Sequence, residues 1–415
     1  MSQAVIEGYR MSPQQKRVWR LQNDSFAFRS QAALLLEGPL DTNLLRESVE
    51  QVCQRHEILR TTFAQLPGLN LPLQVVSERA ALSYCEIDCS AEPQDAQPSL
   101  IDAYLAEQGR LGFDLEQGPV ARLSVLLFSA ERQALLITLP SLCADAETLK
   151  NFVREIIEAY EASLEGARPD DEPLQYAQFS EWQNELLEEE SDEGREFWRQ
   201  QQTDSSAIEG CQLPFEMHPG RLGQSSASTI EEGYAPATLS LLLSRESTAR
   251  LEELATRHNV SEREVLLACW HILLWRLNDR QQVVVNALFD GRKHQELLQT
   301  FGLLAKYLPV RAGFKGDPTF TTLLRKINEA SNDAEAWQEY YSRDEIVPGS
   351  TLPATTHAQH LSFGFDFLHW PEPLRLQSLR AAVLHLSCCA EQFKLRLSCV
   401  RDSQRDGGLK LEFHY

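Results

Sequence analysis

The run at residues 133–139 (QALLITL) is short and nearly all apolar, and it limits the possible folds more than any other stretch of the sequence. A strand with one wet face alternates polar and apolar residues, so a strand without alternation must be covered on both faces. The loop PSLCAD (140–145) follows, and then Leu149, Phe152, Val153, Ile156, Ile157 and Tyr160 recur at helical spacing. A buried strand therefore delivers a tight loop onto a helix N-terminus, a junction that joins rigid support to access. The second half repeats the plan. Residues 258–275 read as one helix with Ser261 at its N-cap, followed by the apolar strand 282–288 and an Asp290-Gly291-Arg292 turn. An α/β fold of two similar lobes is the expectation.

The size of the chain agrees, because 415 residues, 43% of them hydrophobic, exceed one ordinary domain. The turn-poor acidic stretch 188–194 (EEESDEG) marks a division into lobes 1–187 and 188–415; its glutamates otherwise read as a solvated helix face or linker. Lysine plus arginine number 39 against 60 acidic residues, and the net charge of −21 repels phosphate-rich partners, so nucleic acid is not expected. The same field repels an acidic partner protein unless a local basic or apolar patch receives it.

Nine cysteines, at 53, 85, 89, 143, 211, 269, 388, 389 and 399, form no CxxC pair and no zinc spacing. They read as reduced thiols of a cytoplasmic protein. No apolar run approaches the ~18 residues that cross a bilayer, and the N-terminal residues lack the apolar core of a signal peptide. His357 and His360 lie in a stretch with Pro353 that reads as loop, so no metal site is expected there. Asp41 reads as the N-cap of a helix that buries Leu44, Leu45, Ser48, Val49, Val52 and Cys53. Residues 393–400 and 409–415 alternate as two strands around a turn at 402–408.

Five separated segments then resemble, in order, the motifs of the condensation domains of nonribosomal peptide synthetases. Residues 11–22 (MSPQQKRVWRLQ) resemble the opening SxAQxRLWxLxQ, and 55–63 (RHEILRTTF) match RHExLRTxF at every fixed position. Residues 111–122 (LGFDLEQGPVAR) resemble FDLxxGPLxR, 174–182 (LQYAQFSEW) resemble LQYADFAxW, and 290–311 resemble GR…GxFxNTLPLR. Single motifs are weak and an ordered series is strong. The resemblance implies two chloramphenicol-acetyltransferase-like lobes in a V-shaped pseudo-dimer, with a tunnel between them that carrier-bound substrates enter. It implies no directly bound cofactor, only the phosphopantetheine arm of a peptidyl or aminoacyl carrier protein. Further partners would be an adenylation domain or a trans-acting tailoring enzyme.

Working members of that family carry HHxxxDG after the buried strand, and their second histidine lies beside the attacking amine. The aligned residues here are Pro140, Ser141, Leu142, Cys143, Ala144, Asp145 and Ala146. An imidazole accepts a proton near neutral pH and an alkyl hydroxyl does not. General acid–base catalysis contributes roughly 10² to 10⁴ in rate, so peptide-bond formation by the usual route should be weak. Ser141 occupies the catalytic position, yet no GxSxG elbow or nearby histidine would activate it as a nucleophile.

The family's aspartate survives as Asp145, and the resemblance pairs it with Arg60; capping of the following helix is the alternative. The resemblance also implies structural positions at Pro140 and Ala146, and a tunnel lining that includes His56, Arg292, Lys306 and Tyr307. Lys306 replaces a tunnel asparagine. The cyclisation variant, which carries DxxxxD, is unsupported because Pro140 stands at its first aspartate. Cys143, with no cationic neighbour, reads as an inert thiol, and His56 as a hydrogen-bonded structural histidine. Two functions follow as expectations. One is a non-catalytic platform that binds a carrier and recruits a tailoring enzyme. The other is an acyl or peptidyl transferase of altered mechanism using Ser141 or another tunnel residue.

Overall fold

The computed structural model describes residues 8–22, 25–165, 172–189, 192–202, 213–214, 234, 236–278, 280–316, 318–343, 361–376, 379–402 and 408–415. In chain order its elements begin with α1 (Pro13–Leu21), β1 (Arg29–Glu37), α2 (Thr42–Arg55), β2 (Thr61–Ala64), β3 (Leu73–Val76) and β4 (Leu82–Asp88). Next come α3 (Gln97–Arg110), β5 (Ala121–Ser129), β6 (Arg132–Pro140), α4 (Ala146–Glu165), α5 (Tyr176–Glu188) and α6 (Asp192–Gln202). The rest are β7 (Thr238–Leu242), α7 (Arg245–His258), α8 (Glu262–Asn278), β8 (Gln282–Phe289), β9 (Lys306–Gly313) and α9 (Phe320–Ala336). The last five strands are β10 (Leu361–His369), β11 (Leu374–Arg375), β12 (Arg380–Cys388), β13 (Phe393–Asp402) and β14 (Gly408–His414).

The chain forms two compact units, the first from Met1–Glu189, Asp290–Ala305 and Trp370–Ala390, the second from Glu190–Phe289, Lys306–His369 and Glu391–Tyr415. The division is therefore not the single cut between residues 187 and 188 that the acidic stretch implied. The first switch does fall at Glu189/Glu190. Two later segments return to the first unit because their backbones are needed there: β12 pairs antiparallel along the length of β1, and residues 304 and 305 donate to Asp145.

In the first unit a six-stranded sheet runs in the order β11-β12-β1-β6-β5-β4. The run at 133–139 lies in its interior, between β1 and β5, and every residue from Gln133 to Ala146 is buried. One face of β1 meets α3, whose Ile101 and Leu105 pack with Ala33, Leu126, Ala134 and Leu136. α4 presents Leu149, Phe152, Val153, Ile156, Ile157 and Tyr160, all buried at the expected spacing. α2 starts where Asp41 accepts hydrogen bonds from the N–H groups of Asn43 and Leu44.

The second unit has its own six-stranded sheet, in the order β7-β14-β13-β10-β8-β9. Its core gathers Trp270, Val285, Leu308, Val310, Ile327, Phe365 and Leu397. The expected β8 and the β13–β14 pair are present, with residues 403–407 of the connecting turn outside the described residues. The helix expected within 258–275, with Ser261 at its N-cap, is α8, which begins at Glu262, while His258 belongs to the helix before it. His258 closes α7, Asn259 turns left-handed at φ 51°, and α8 begins after Ser261, whose carbonyl accepts from Val265 N–H. Asparagine tolerates that conformation, and it ends α7 by the usual left-handed stop.

Candidate functional site

The loop that leaves β6 is held from several sides. Arg29 of β1 lies opposite Pro140 in the ladder, and Ser141 N–H donates to the Phe28 carbonyl at 3.3 Å. Cys143 N–H closes a turn onto the Pro140 carbonyl at 2.9 Å. Gln15 Nε2 donates to the Leu142 carbonyl at 3.0 Å, and Ser30 Oγ to the Ala144 carbonyl at 2.6 Å. Gln15 is itself fixed by the capping box it forms with Ser12 at the start of α1. The MSPQQ segment thus ties the start of a helix to the loop.

Within that frame Ser141 is 1% exposed, and its Oγ has no hydrogen-bond partner among the described residues. Among the described residues no imidazole or carboxylate is hydrogen-bonded to it, which is the contact that would activate a serine hydroxyl as a nucleophile. Cys143 is fully buried, and burial pushes its thiol well above the ordinary range, which keeps it protonated and inert.

Asp145 has a different partner from the one the resemblance implied. Its carboxylate takes a two-pronged pair from Arg292, with Nη1 to Oδ2 at 2.9 Å and Nη2 to Oδ1 at 3.0 Å. Oδ2 also accepts from the N–H groups of Leu304 (3.0 Å) and Ala305 (2.9 Å), and Oδ1 from Thr148 N–H (2.8 Å). The last bond is a helix cap, so Asp145 both caps α4 and pairs an arginine. Burial alone would raise its pKa, yet the Arg292 charge and these N–H donors hold it below the usual carboxylate value.

Arg60 lies elsewhere, donating to the backbone carbonyls of Gln54 and Ser77 at the β2–β3 ribbon. A guanidinium in the 290–305 segment reaches the carboxylate along with two main-chain donors of the same segment, a match that a lone Arg60 would not reproduce.

That segment is stapled further. Arg292 Nη2 donates to Thr148 Oγ1 and the Thr300 carbonyl; Thr148 Oγ1 donates to the Gly302 carbonyl at 2.7 Å, and Asn151 Nδ2 to Leu298 at 2.8 Å. Two glycines permit the close approach: at Gly291 (φ +75°) a Cβ would strike the Leu304 carbonyl, and at Gly302 (φ +144°) it would enter the Tyr176 ring. Tyr176, Thr148 and Gln15 were not singled out as site residues from sequence. The ordered motifs contained Tyr176 and Gln15, but no one-dimensional signal pairs them with the loop.

His56 caps the end of α2, stacks on Phe301 at 3.5 Å and lies 2.8 Å from Glu155 Oε2, which also accepts from Arg55. Burial lowers its pKa against the pull of Glu155, and the ring sits buried against Phe301 with Nε2 bonded to that carboxylate.

Lys306 and Tyr307 belong to the second unit, as the first two residues of β9. Lys306 is buried and donates from Nζ to the Gln338 carbonyl at 3.1 Å; desolvation lowers its pKa to about 8. Tyr307 meets Phe393 edge-on at 4.8 Å and accepts from Arg396 Nη1 at 3.3 Å, and Arg396 pairs with buried Asp366 at 3.5 Å. Arg292, expected on a tunnel wall, is instead a buried anchor beneath the loop. Among the described residues no cluster of metal-ligating side chains occurs, and no helix is long and apolar enough to cross a membrane. His357 and His360 lie outside the described residues.

A family model described as "Condensation domain" matches residues 5–380. The chain is 30% identical over 360 residues to chondramide synthase of Chondromyces crocatus, an alignment that covers 84% of this chain and 9% of the synthase. It therefore spans about a tenth of that relative's length. Among solved structures, the condensation domain from the monacolin K polyketide synthase MokA superposes with a TM-score of 0.80 at 19% identity, covering 99% of this chain and 92% of that one. The X-domain–OxyB complex from teicoplanin biosynthesis gives a TM-score of 0.74 at 22% identity, covering 100% and 89%. At these identities the structures share the fold.

Proposed function

We propose, from the premise that the chain belongs to the condensation-domain family of nonribosomal peptide synthetases, that it serves as a carrier-binding platform and not as a peptide-bond-forming enzyme. The observation that carries this reading is the loop after β6, where Pro140 and Ser141 stand in place of the family's two histidines. Among the described residues Ser141 Oγ has no base beside it, and the other loop side chains, Leu142, Cys143 and Ala144, offer no proton acceptor at neutral pH. Asp145 is committed to Arg292 and to main-chain donors, so it is not free to take up a proton. An intact anchor beneath a loop without a base supports a preserved scaffold serving recognition.

The X-domain of teicoplanin biosynthesis has the same fold and is found in complex with OxyB. That precedent supports the second half of the reading: this chain holds a tailoring enzyme against a carrier-bound aminoacyl group. The carrier would bring its own phosphopantetheine arm. Titration of the chain with aminoacyl-loaded carrier proteins, and with tailoring enzymes that act on them, should give saturable binding without amide product. Rapid amide synthesis that disappears in Ser141→Ala would overturn the platform reading in favour of serine-dependent transfer.

A further inference from the structure

Beside the loop, on the face of the sheet covered by α3, lies a pair of cations that the function above does not use. Arg29 and Arg122 both place their guanidinium carbons over the Phe113 ring, at 5.1 and 4.4 Å from its centroid. Arg122 donates to the carbonyls of Gln108, Leu111 and Gly112, which close the end of α3. Among the described residues Arg29 makes one hydrogen bond, from Nη1 to its neighbour's carbonyl at Phe28, and its buried Nε has no partner. Among the described residues no carboxylate pairs with either arginine, although acidic residues outnumber basic ones by 60 to 39 in the whole chain.

We propose that Arg29, with Arg122 beside it over Phe113, forms an oxyanion-binding site that takes a carboxylate or phosphate group of a ligand next to the β6 loop. A guanidinium presents five N–H donors in a planar fork, and a half-buried one with most of them unused matches a two-oxygen anion. Phe113 fixes the plane of the fork, since a cation over a ring face is held by the ring quadrupole. The location adds meaning. Arg29 faces Pro140 in the β1–β6 ladder, so a bound anion would sit one strand away from the residues that replace the family's histidines. Burial and the Arg122 charge lower the Arg29 pKa to about 10, which is the mark of a cation lacking its counter-ion. This site stands whether or not the platform reading holds.

Isothermal titration of the full chain with sodium phosphate, and separately with sodium acetate, tests the proposal. Saturable binding of phosphate, of acetate or of both is expected and tells which oxyanion the site takes. Arg29→Gln should weaken that binding by about tenfold, whereas Arg250→Gln on exposed α7 should leave it unchanged. A parallel measurement needs no variant: modification of Arg29 by phenylglyoxal, read by mass spectrometry, should slow in the anion while modification of Arg250 does not. Absence of saturable binding to both anions, or binding indifferent to Arg29→Gln, or modification of Arg29 at an unchanged rate would each overturn it.

Discussion

A carboxylate removed from water has to find charge and N–H donors inside the protein, and Asp145 finds both in one segment. Breaking a buried pair on one side costs about 3–5 kcal/mol, so Asp145→Asn and Arg292→Leu should each destabilise the first unit on that scale in urea melts. A double-mutant cycle should show strong coupling for that pair and near-zero coupling between Asp145 and Arg60. Ser141 presents the opposite case, a buried hydroxyl with nothing to bond. Ser141→Ala should therefore be neutral or stabilising by up to about 1 kcal/mol by the same measurement. Lys306 has a folded-state pKa of about 8 against 10.5 in a free side chain, so the unfolded chain holds more protons between those values. Its contribution to stability thus rises as pH increases from 8 to 10.5 and is unfavourable below that window. Lys306→Met should gain about 1–3 kcal/mol at pH 7 and flatten the rise in thermal midpoint across alkaline pH.

At the scale of elements, the 290–305 segment acts as a strap whose conformation depends on glycine. Gly302→Ala would place a methyl in the Tyr176 ring at a φ that side chains avoid, so a loss of about 2–4 kcal/mol in unfolding free energy is expected. A Thr148→Val substitution should loosen the same strap, because Thr148 Oγ1 bonds the Gly302 carbonyl and N–H as well as Arg292. Faster amide hydrogen exchange at Gly302 is the expected readout. Many elements were legible in advance. The double burial of β6, the stripe along α4 and the Asp41 cap follow from periods and from short-range hydrogen bonding, which the order of residues states directly. The start of α8 was legible too, in the capping residue Ser261, whereas the left-handed turn at Asn259 that ends α7 was not, since a single residue of that kind leaves no periodic trace.

For the whole molecule, the two six-stranded sheets agree with the two-lobed expectation, but their membership crosses the sequence. β12 enters the first unit after most of the second has been built, completing a sheet begun at β1, as the pairing of Ser30 with Cys388 records. The kind of elements, the family and the missing imidazole could be read from the chain alone, because each is written in local order: periodicity, motif spacing and residue type. Folding in three dimensions was needed to show that Asp145 answers to Arg292 and that, among the described residues, Ser141 Oγ stands unpaired and Arg29 keeps most of its donors unused. Those outcomes depend on which distant groups share one buried volume. Hydrogen bonding and Coulomb attraction act through space over a few ångströms, so separation along the chain does not foretell them.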